Sequence, residues 1–343
     1  MKIAISLIVY LAIISGTVLA YAGKSLSPES KEIKSSEDNI GIENISKDSK
    51  TTFIAGGDMM FDRYIDYKYR DDKILEAVDE LAPKFKNYDL ALVNLEGPIS
   101  PTPIPADNTN SLIFNFPPKT VDALQSMGID AVSLANNHTN NNGKAGYTNT
   151  VTVLTAAKIV PIGQEVGITD NSIKEFDIAG NKISVIALNV LETDKSIVDL
   201  IKTEKKKGCF VVIFPHWGEE YVEMHNASQE KLAESWIDSG ADLVIGSHPH
   251  VIQDAQILNG KPVFYSLGNL LFDQNFSVPT QHGLVLSGKI MNGKLTEMSL
   301  FPTISEEYKP RFMTGDEKTA LFSKMRGYLK LPVSDEGVIN LNQ

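Results

Sequence analysis

Residues 51–63 read TTFIAGGDMMFDR, a short apolar run followed at once by two glycines and a group of polar side chains. The run from Thr52 to Gly56 has the length and the β-branched and aromatic residues of a buried strand, and Asp58 follows it closely. The same pattern recurs further along the chain. It indicates a sheet whose strands end in the residues that carry chemistry.

The order of apolar and amphipathic segments beyond residue 51 predicts the class of the fold. Strands are predicted at residues 52–56, 90–94, 131–135, 158–162, 182–188, 210–215, 243–246, 263–266 and 284–290, and helices at 72–86, 117–127, 143–156, 191–206, 226–239 and 315–330. Alternating strands and helices favour βαβ units around largely parallel sheets, so an α/β protein is expected. Asn259-Gly260 and Asn292-Gly293 predict hairpin turns.

The first 50 residues differ in composition from the remainder. Residues 1–22 contain Lys2 and then an uncharged apolar run. Ala20-Tyr21-Ala22 fits a signal-peptide cleavage site, but a run of about 20 residues is also long enough to remain as a membrane anchor. Residues 23–50, rich in Ser, Lys, Glu and Asp, predict a disordered linker. Residues 51–343 are then an exported domain, secreted or held at the outer face of the cytoplasmic membrane.

The charge of the chain bears on its partners. The formal net charge of the 343 residues is −11, with 43 acidic and 32 basic side chains. Nucleic acid is excluded as a partner because no basic stripe is available to replace the counterions on phosphates. An acidic balance is compatible with cation binding, although it more often serves solubility.

Polar clusters follow six of the predicted strands. In open α/β sheets, ligands bind outside the carboxyl ends of the strands, so six clusters at six strand ends point to one shared site. The clusters are Gly56-Gly57-Asp58, Asn94-Leu95-Glu96, Asn136-Asn137-His138, His216-Trp217-Gly218-Glu219, Ser247-His248-Pro249-His250 and Ser266-Leu267-Gly268-Asn269.

The side chains in these clusters are typical metal ligands. Oxygen and imidazole nitrogen together suit Mn²⁺, Zn²⁺ or Fe²⁺ better than Ca²⁺, so one or two such divalent ions are expected. The candidate ligands are Asp58, Glu96, Asn137, His216, His248 and His250. Local roles are the alternative: Asp58 as a helix N-cap, Glu96 as the cap of a turn, and Asn136 and Asn137 as turn residues.

The motifs, taken in order, resemble a known family. They are GGDMMFDR, NLEGPIS, LANNHTNNNG, PHWGEEY, GADLVIGSHPH and YSLGNLLFD, and they lie between residues 56 and 273. Together they resemble the bacterial capsule-synthesis CapA/PgsA family, associated with capsule and poly-γ-glutamate production. That family is itself similar to the calcineurin-like metallophosphoesterases, which implies a four-layer α/β/β/α sandwich and a two-metal centre.

The resemblance also implies roles for individual residues. Asp58, Glu96 and His250 would hold one metal, and Glu96 would bridge to a second. The second would be held by Asn137, His216 and His248. His138 would be the general acid, and Arg63 would bind an anionic substrate with its planar fork. Asn136, Glu219 and Asn269 would orient substrate or ligands.

Two departures from the phosphoesterase pattern stand out. Met60 occupies the position where the first motif, Asp-x-His, has its histidine, and a thioether is a poor ligand for these ions. The stretch 139–142, after the Asn-Asn-His motif, contains no acidic residue.

Three functions are compatible with this sequence. The leading one is metal-dependent hydrolysis of a phosphoester or related bond in an anionic envelope polymer or its phosphorylated precursor. The second is a non-catalytic subunit that binds a polymer such as polyglutamate and couples it to a membrane synthase or export complex. The third is a purely structural partner of such a complex.

Overall fold

The computed structural model describes residues 49–101, 112–192 and 196–341. The strands are β1 (Lys50–Met59), β2 (Leu90–Leu95), β3 (Ala131–Ser133), β4 (Val160–Ile162), β5 (Ile173–Ile178), β6 (Asn181–Asn189), β7 (Phe210–His216), β8 (Leu243–Ile245), β9 (Ala255–Leu258), β10 (Lys261–Phe264), β11 (Asn269–Leu271), β12 (His282–Met291), β13 (Lys294–Glu306), β14 (Lys309–Phe312) and β15 (Val338–Ile339).

The helices lie between these strands, and the last of them precedes β15. They are α1 (Arg63–Lys68), α2 (Ala82–Phe85), α3 (Thr120–Met127), α4 (Gly143–Ala156), α5 (Val198–Lys206), α6 (Ala227–Asp238), α7 (Val278–Gln281) and α8 (Gly315–Met325), with 3₁₀ segments at Asp71–Ala77 and Asp170–Ser172. Helix α6 starts at a capping box, since the Asn226 side chain accepts from the Gln229 backbone N–H and the Gln229 side chain accepts from that of Asn226.

The strands form two sheets. The first has the order β14-β13-β12-β1-β2-β3-β4, with β11 beside β1 and β15 beside β13; the second has the order β5-β6-β7-β8-β10-β9. Strands β1 to β4 run parallel, as do β6, β7, β8 and β10. The prediction of a mixed α/β protein with largely parallel central strands is therefore confirmed.

Successive side chains point to opposite faces of the strands, and this divides the hydrophobic core into separate clusters. Phe53 and Ala55 of β1 lie in a hydrophobic cluster that also contains residues of the second sheet, such as Val212, whereas Ile54 lies in a second cluster with helical residues such as Leu124. This is the two-residue period expected of a strand buried on both faces. A third cluster joins the other face of the second sheet to α5 and α6, where Trp236 is fully buried.

The predicted elements are found, with shifted ends and one break; residues 193–195 of the helix predicted at 191–206 lie outside the described part of the chain, and α5 begins at Val198. The helix predicted at 72–86 is interrupted: a 3₁₀ segment ends at Ala77 and α2 begins at Ala82. Pro83 explains the restart, because proline has no N–H to donate in a helix interior but fits its first turn. Both predicted hairpins form, between β9 and β10 and between β12 and β13.

The predictions for the amino-terminal segments fall mostly outside the described residues. Residues 1–48, which include the predicted signal peptide or anchor and most of the linker, are among those not described. Strand β1 already includes Lys50, the last residue assigned to the linker. Among the described residues, no helix combines the length and apolar character that crossing a membrane requires.

Candidate metal centre

The carboxyl ends of β1 and β2 bring the first acidic residues together. Asp58 is paired in register with Asn94 of β2 and with Asn269 of β11. The Glu96 N–H donates to the carbonyl of Met59 at 2.9 Å, which fixes the chain just beyond β2. The side chains of Asp58 and Glu96 are fully buried. Two carboxylates are thus placed side by side away from water.

The Asp58 carboxylate contacts residues from both sheets. Its Oδ1 accepts from Asn94 Nδ2 at 2.8 Å, and its Oδ2 accepts from the His248 backbone N–H at 3.2 Å. The same Oδ2 lies 3.4 Å from Nδ1 of His250. Asp58 therefore links the end of β1 to the loop that follows β8.

The Glu96 carboxylate faces two imidazoles. Its Oε2 accepts from Asn94 Nδ2 at 3.2 Å, while Oε1 lies 3.5 Å from His250 Nε2 and 4.0 Å from His138 Nε2. Among the described residues, Oε1 has no hydrogen-bond partner although it is buried. A buried carboxylate oxygen without a partner is costly, and a bound cation would satisfy it.

The second sheet contributes three histidines. His216 ends β7, and its Nε2 lies 2.8 Å from Asn137 Oδ1. The His248 ring centroid is 4.7 Å from that of His216, and its buried Nδ1 has no hydrogen-bond partner among the described residues. The His250 Nδ1 lies 3.1 Å from Asn269 Oδ1. These contacts bring six predicted residues from distant parts of the chain into one cluster.

The backbone of the Ser247–His250 loop is strained. His248 has φ of 100° and His250 has φ of 58°, values that residues with a side chain rarely adopt. Such conformations persist only where the surrounding structure enforces them, and they concentrate at functional sites. In this loop they accompany the two imidazoles directed at the cluster.

Burial and neighbouring charges shift the pKa values of the side chains in this cluster. Burial lowers the pKa of His216 well below its usual value and that of His248 to about 4, with neighbouring histidines adding to both shifts. Burial raises the pKa of Glu96. Burial alone would lower the pKa of His250, but Glu96 and Asp58 outweigh it and raise that pKa to about 9. The Glu96–His250 pair thus retains a proton that a cation could replace.

Three triads of side chains in the described part of the chain have the spacing that a metal ion needs, and two of them lie in this cluster; the third, Glu175, Glu204 and Cys209, lies outside it. One ligand atom from each of Asp58, Glu96 and His216 lies within 4.8 Å of the others, and the same holds for Glu220, His248 and His250. The donors are carboxylate oxygens and imidazole nitrogens, and two of their buried atoms have no partner among the described residues. The residues present therefore fit a divalent cation of the Mn²⁺, Zn²⁺ or Fe²⁺ type.

Arg63 lies beside this cluster but is already paired. Its Nε donates to Asp273 Oδ2 at 3.1 Å, and its Nη2 contacts the other carboxylate oxygen. The guanidinium also lies over the rings of Phe114 and Phe272, 5.0 and 5.6 Å from their centroids. A substrate anion would therefore compete with Asp273 for the Arg63 guanidinium, which was predicted to bind substrate.

His138 is held in a defined orientation. Its ring centroid is 4.2 Å from that of Phe114, and its Nδ1 lies 3.0 Å from Asn141 Oδ1. Asn141 Oδ1 also accepts from the Phe114 N–H, so it is an acceptor and His138 Nδ1 carries the proton. Burial lowers the pKa of His138, which favours the neutral imidazole, and its Nε2 lies 4.0 Å from Glu96 Oε1.

The three residues predicted to orient ligands occupy different surroundings. Asn136 is fully buried and donates to Asn94 Oδ1 and to the Leu95 carbonyl, so its contacts are with the protein itself. Asn269 contacts His250 directly. Glu219 is exposed, whereas the next residue, Glu220, forms the triad with His248 and His250.

Met60 does not contribute a ligand. Its side chain is fully buried and belongs to the apolar cluster that packs against α1 to α4. Its sulfur accepts from the Asp62 N–H at 2.9 Å. The residue at this position thus serves packing.

Sequence reasoning gave no role to three residues of this site, although it placed Asn94 in one of the polar clusters. Asn94 contacts both Asp58 and Glu96, Glu220 joins His248 and His250, and Asp273 pairs with Arg63. One signal was available for Asn94, which is a polar residue in the otherwise apolar strand LALVNL. Arg63 and Asp273 are 210 positions apart in the sequence, and no local pattern predicts their pairing.

A mixed α/β protein with a buried cluster of carboxylates and imidazoles at its strand ends is the class that the fold and the site define. The family model for the bacterial capsule synthesis protein PGA_cap matches residues 52–274, and the chain belongs to that family.

Individual relatives agree with this family. The PGA biosynthesis protein CapA of Bacillus subtilis (strain 168) is 26% identical over 77% of this chain and 71% of its own length. The capsule biosynthesis protein CapA of Bacillus anthracis is 26% identical over 85% of this chain and 80% of its own length. Among solved structures, a hypothetical protein from Thermus thermophilus matches with a TM-score of 0.47 and 16% identity, over 73% of this chain and 98% of its own.

Proposed function

We propose that this protein is a metal-dependent hydrolase that cleaves a phosphoester or related bond in an envelope polymer or its phosphorylated precursor. One observation carries the proposal: ligand atoms of Asp58, Glu96 and His216, all fully buried, lie within 4.8 Å of one another. Buried acids paired with imidazoles at strand ends are typical of catalytic metal sites. The names of the two CapA relatives supply the context of capsule and PGA synthesis.

The proposed fold type is the four-layer α/β/β/α sandwich of the metallophosphoesterases. Three hydrophobic clusters support it. One lies between the two sheets, and each of the other two joins the opposite face of one sheet to helices. In such a stack the parallel strands of both sheets end at the same edge, which accounts for the convergence of Asp58 and His216.

The residues that would hold metal are the six candidate ligands predicted from the sequence. Asp58, Glu96 and His250 would form one position, and Glu96 with Asn137, His216 and His248 a second. A divalent ion bound there would polarise a phosphoryl oxygen and make a water more acidic. The protein contributes the rest: Asn94 donates to both carboxylates and holds them in place.

His138 would handle a proton beside the metal centre. Its Nδ1–H donates to Asn141, so Nε2 is the atom available for exchange. The side chain is 13% exposed, which permits contact with substrate or solvent. To act as the general acid, the imidazole first takes up a proton on Nε2 and then donates it to the leaving group from that same atom.

The setting of this activity is also proposed. We infer export, with the domain secreted or held at the outer face of the cytoplasmic membrane by residues 1–22 if they are not cleaved. The substrate there would be an anionic polymer or a phosphorylated precursor. A membrane synthase or export complex would be the protein partner.

The test is hydrolysis of an aryl phosphate by the full-length chain in detergent with Mn²⁺. We expect activity that chelation abolishes and that His250→Ala lowers by at least about 100-fold, since losing one metal ligand removes charge stabilisation worth several kcal/mol. Activity that survives both chelation and the substitution would exclude this mechanism.

A non-catalytic polymer-binding role is the second candidate. One observation favours it: Met60 supplies no ligand where the phosphoesterase pattern has a histidine. This role predicts metal binding and salt-sensitive binding of polyglutamate, without turnover of aryl phosphate. Hydrolysis that depends on His250 would decide against it.

A further inference from the structure

Glu220 is an acidic residue that the proposed two-metal arrangement does not use. It lies on the loop after β7, is exposed, and places a carboxylate oxygen within 4.8 Å of ligand atoms of both His248 and His250. His250 in turn lies 3.4 Å from Asp58 Oδ2 and 3.5 Å from Glu96 Oε1. Glu220 is therefore at the outer edge of the same cluster, on its solvent side.

The loop that carries Glu220 is held at both ends by the histidine loop. The Trp217 N–H donates to the Ser247 carbonyl at 3.1 Å, and the Tyr221 N–H donates to the Pro249 carbonyl at 2.8 Å. Tyr221 has φ of 65°, a left-handed conformation for a bulky residue. The backbone on each side of Glu220 is thus fixed relative to His248 and His250, and its proximity to them is built into the fold.

Residue 60 supplies no ligand to the centre. Met60 stands where the phosphoesterase pattern has a histidine, yet its sulfur accepts from the Asp62 N–H within an apolar cluster. Meanwhile His248 Nδ1 and Glu96 Oε1 are buried, and neither has a hydrogen-bond partner among the described residues. The side chains of His248 and Glu96 are 6% and 0% exposed. These two unpartnered atoms and an acid on a fixed loop beside His248 form a set of ligands that a bound cation would satisfy.

We propose that Glu220 is a metal ligand that supplies, from the loop after β7, the donor that residue 60 does not. This proposal rests on the proposed metal centre. It adds a third carboxylate to Asp58 and Glu96, and a donor set richer in oxygen favours Mn²⁺ over Zn²⁺. The metal preference of this centre is then set by a residue outside the phosphoesterase motifs.

The test measures metal binding by the full-length chain in detergent, using isothermal titration with Mn²⁺ and with Zn²⁺. Glu220→Gln should weaken Mn²⁺ binding by at least about 10-fold, as expected on removing one partner from a metal site. Glu223→Gln is the matched control, because it removes the same charge from the same loop at a residue whose carboxylate pairs with Lys324. Glu220→His should retain metal but shift the preference toward Zn²⁺, which a purely structural role would not produce.

The outcomes separate the two proposals. Thermal melts in EDTA check that every variant is folded as the unaltered chain is. Mn²⁺ affinity of Glu220→Gln within twofold of that of the unaltered chain would overturn the assignment of Glu220 and leave the metal centre standing. An unaltered chain that binds neither ion would overturn the metal centre and the Glu220 ligand together.

Discussion

The Nε2 atom of His250 lies 3.5 Å from Oε1 of Glu96, although one follows a strand of the second sheet and the other a strand of the first. Both side chains are buried, and this Glu96 oxygen has no hydrogen-bond partner among the described residues. The contact therefore joins the two sheets through a carboxylate and an imidazole, and not through apolar packing alone. Substitutions at these residues should change the binding of metal as well as the stability of the fold.

Glu96→Gln should abolish stabilisation by metal. The substitution also removes one of the two carboxylates that face the buried His250, so the metal-free protein should lose some stability, and each variant is therefore compared with itself, with and without metal. At a Mn²⁺ concentration about 100 times Kd, the unaltered chain should gain about 2.7 kcal/mol that the variant does not. Thermal melts with and without Mn²⁺ measure this, with Glu234→Gln as a surface control; an equal shift in both variants would count against the assignment.

Asn94→Ala should weaken metal binding although Asn94 is not itself a proposed ligand. Its amide donates to Asp58 at 2.8 Å and to Glu96 at 3.2 Å, and thereby fixes both carboxylates. Loss of such a supporting partner typically costs about 10- to 100-fold in affinity. Calorimetric titration with Mn²⁺ measures the effect, and Asn149→Ala, which removes an amide bonded to the Ile99 carbonyl, is the control. Unchanged affinity in Asn94→Ala would refute the positioning role.

Asp273→Ala should lower the free energy of unfolding by about 3 kcal/mol, because it removes the carboxylate that pairs with the Arg63 guanidinium in a mostly buried position. The side chains of Arg63 and Asp273 are 11% and 2% exposed. In a double-mutant cycle by urea denaturation, Arg63→Leu combined with Asp273→Leu should cost less than the sum of the single changes. Strict additivity would show that the pair is not coupled.

Met60→His should not restore the histidine of the phosphoesterase pattern. The side chain at this position lies in an apolar cluster, so the imidazole would be buried without a metal to bind. We expect a loss of about 2 kcal/mol in stability from burying an unpaired polar group, and no gain in Mn²⁺ affinity. Calorimetry and thermal melts test both effects. Tighter Mn²⁺ binding in this variant would show that residue 60 does face the centre.

The architecture followed from local patterns in the sequence. Alternation in the first strand, with Phe53 and Ala55 on one face and Ile54 on the other, reflects its burial between two layers. Glycine and asparagine placed the hairpin at Asn259-Gly260, where Asn259 adopts φ of 48° and Gly260 φ of 77°. These patterns are local, and they predict the structure correctly because the tertiary packing favours the same conformations.

The residues of the site could be predicted only in part from such local patterns. Polar residues after apolar runs identified Asp58, Glu96, His216 and His250, since parallel strands bring their carboxyl ends to one edge. The choice between Glu219 and Glu220 depends on the turn at Gly218 and Tyr221, both with positive φ, which no periodicity reveals. The pairing of Arg63 with Asp273 is likewise a product of the tertiary fold.

The most direct test of a shared cation is anomalous diffraction at the manganese edge from crystals of the protein grown with Mn²⁺. We predict an anomalous peak within bonding distance of Asp58, Glu96 and His250, with Glu220 among its ligands. The contrary result would be a well-ordered cluster in which these side chains keep their direct contacts and no anomalous peak appears, although Mn²⁺ is present well above the Kd expected of such a site. That result would contradict the claim that these residues share a cation.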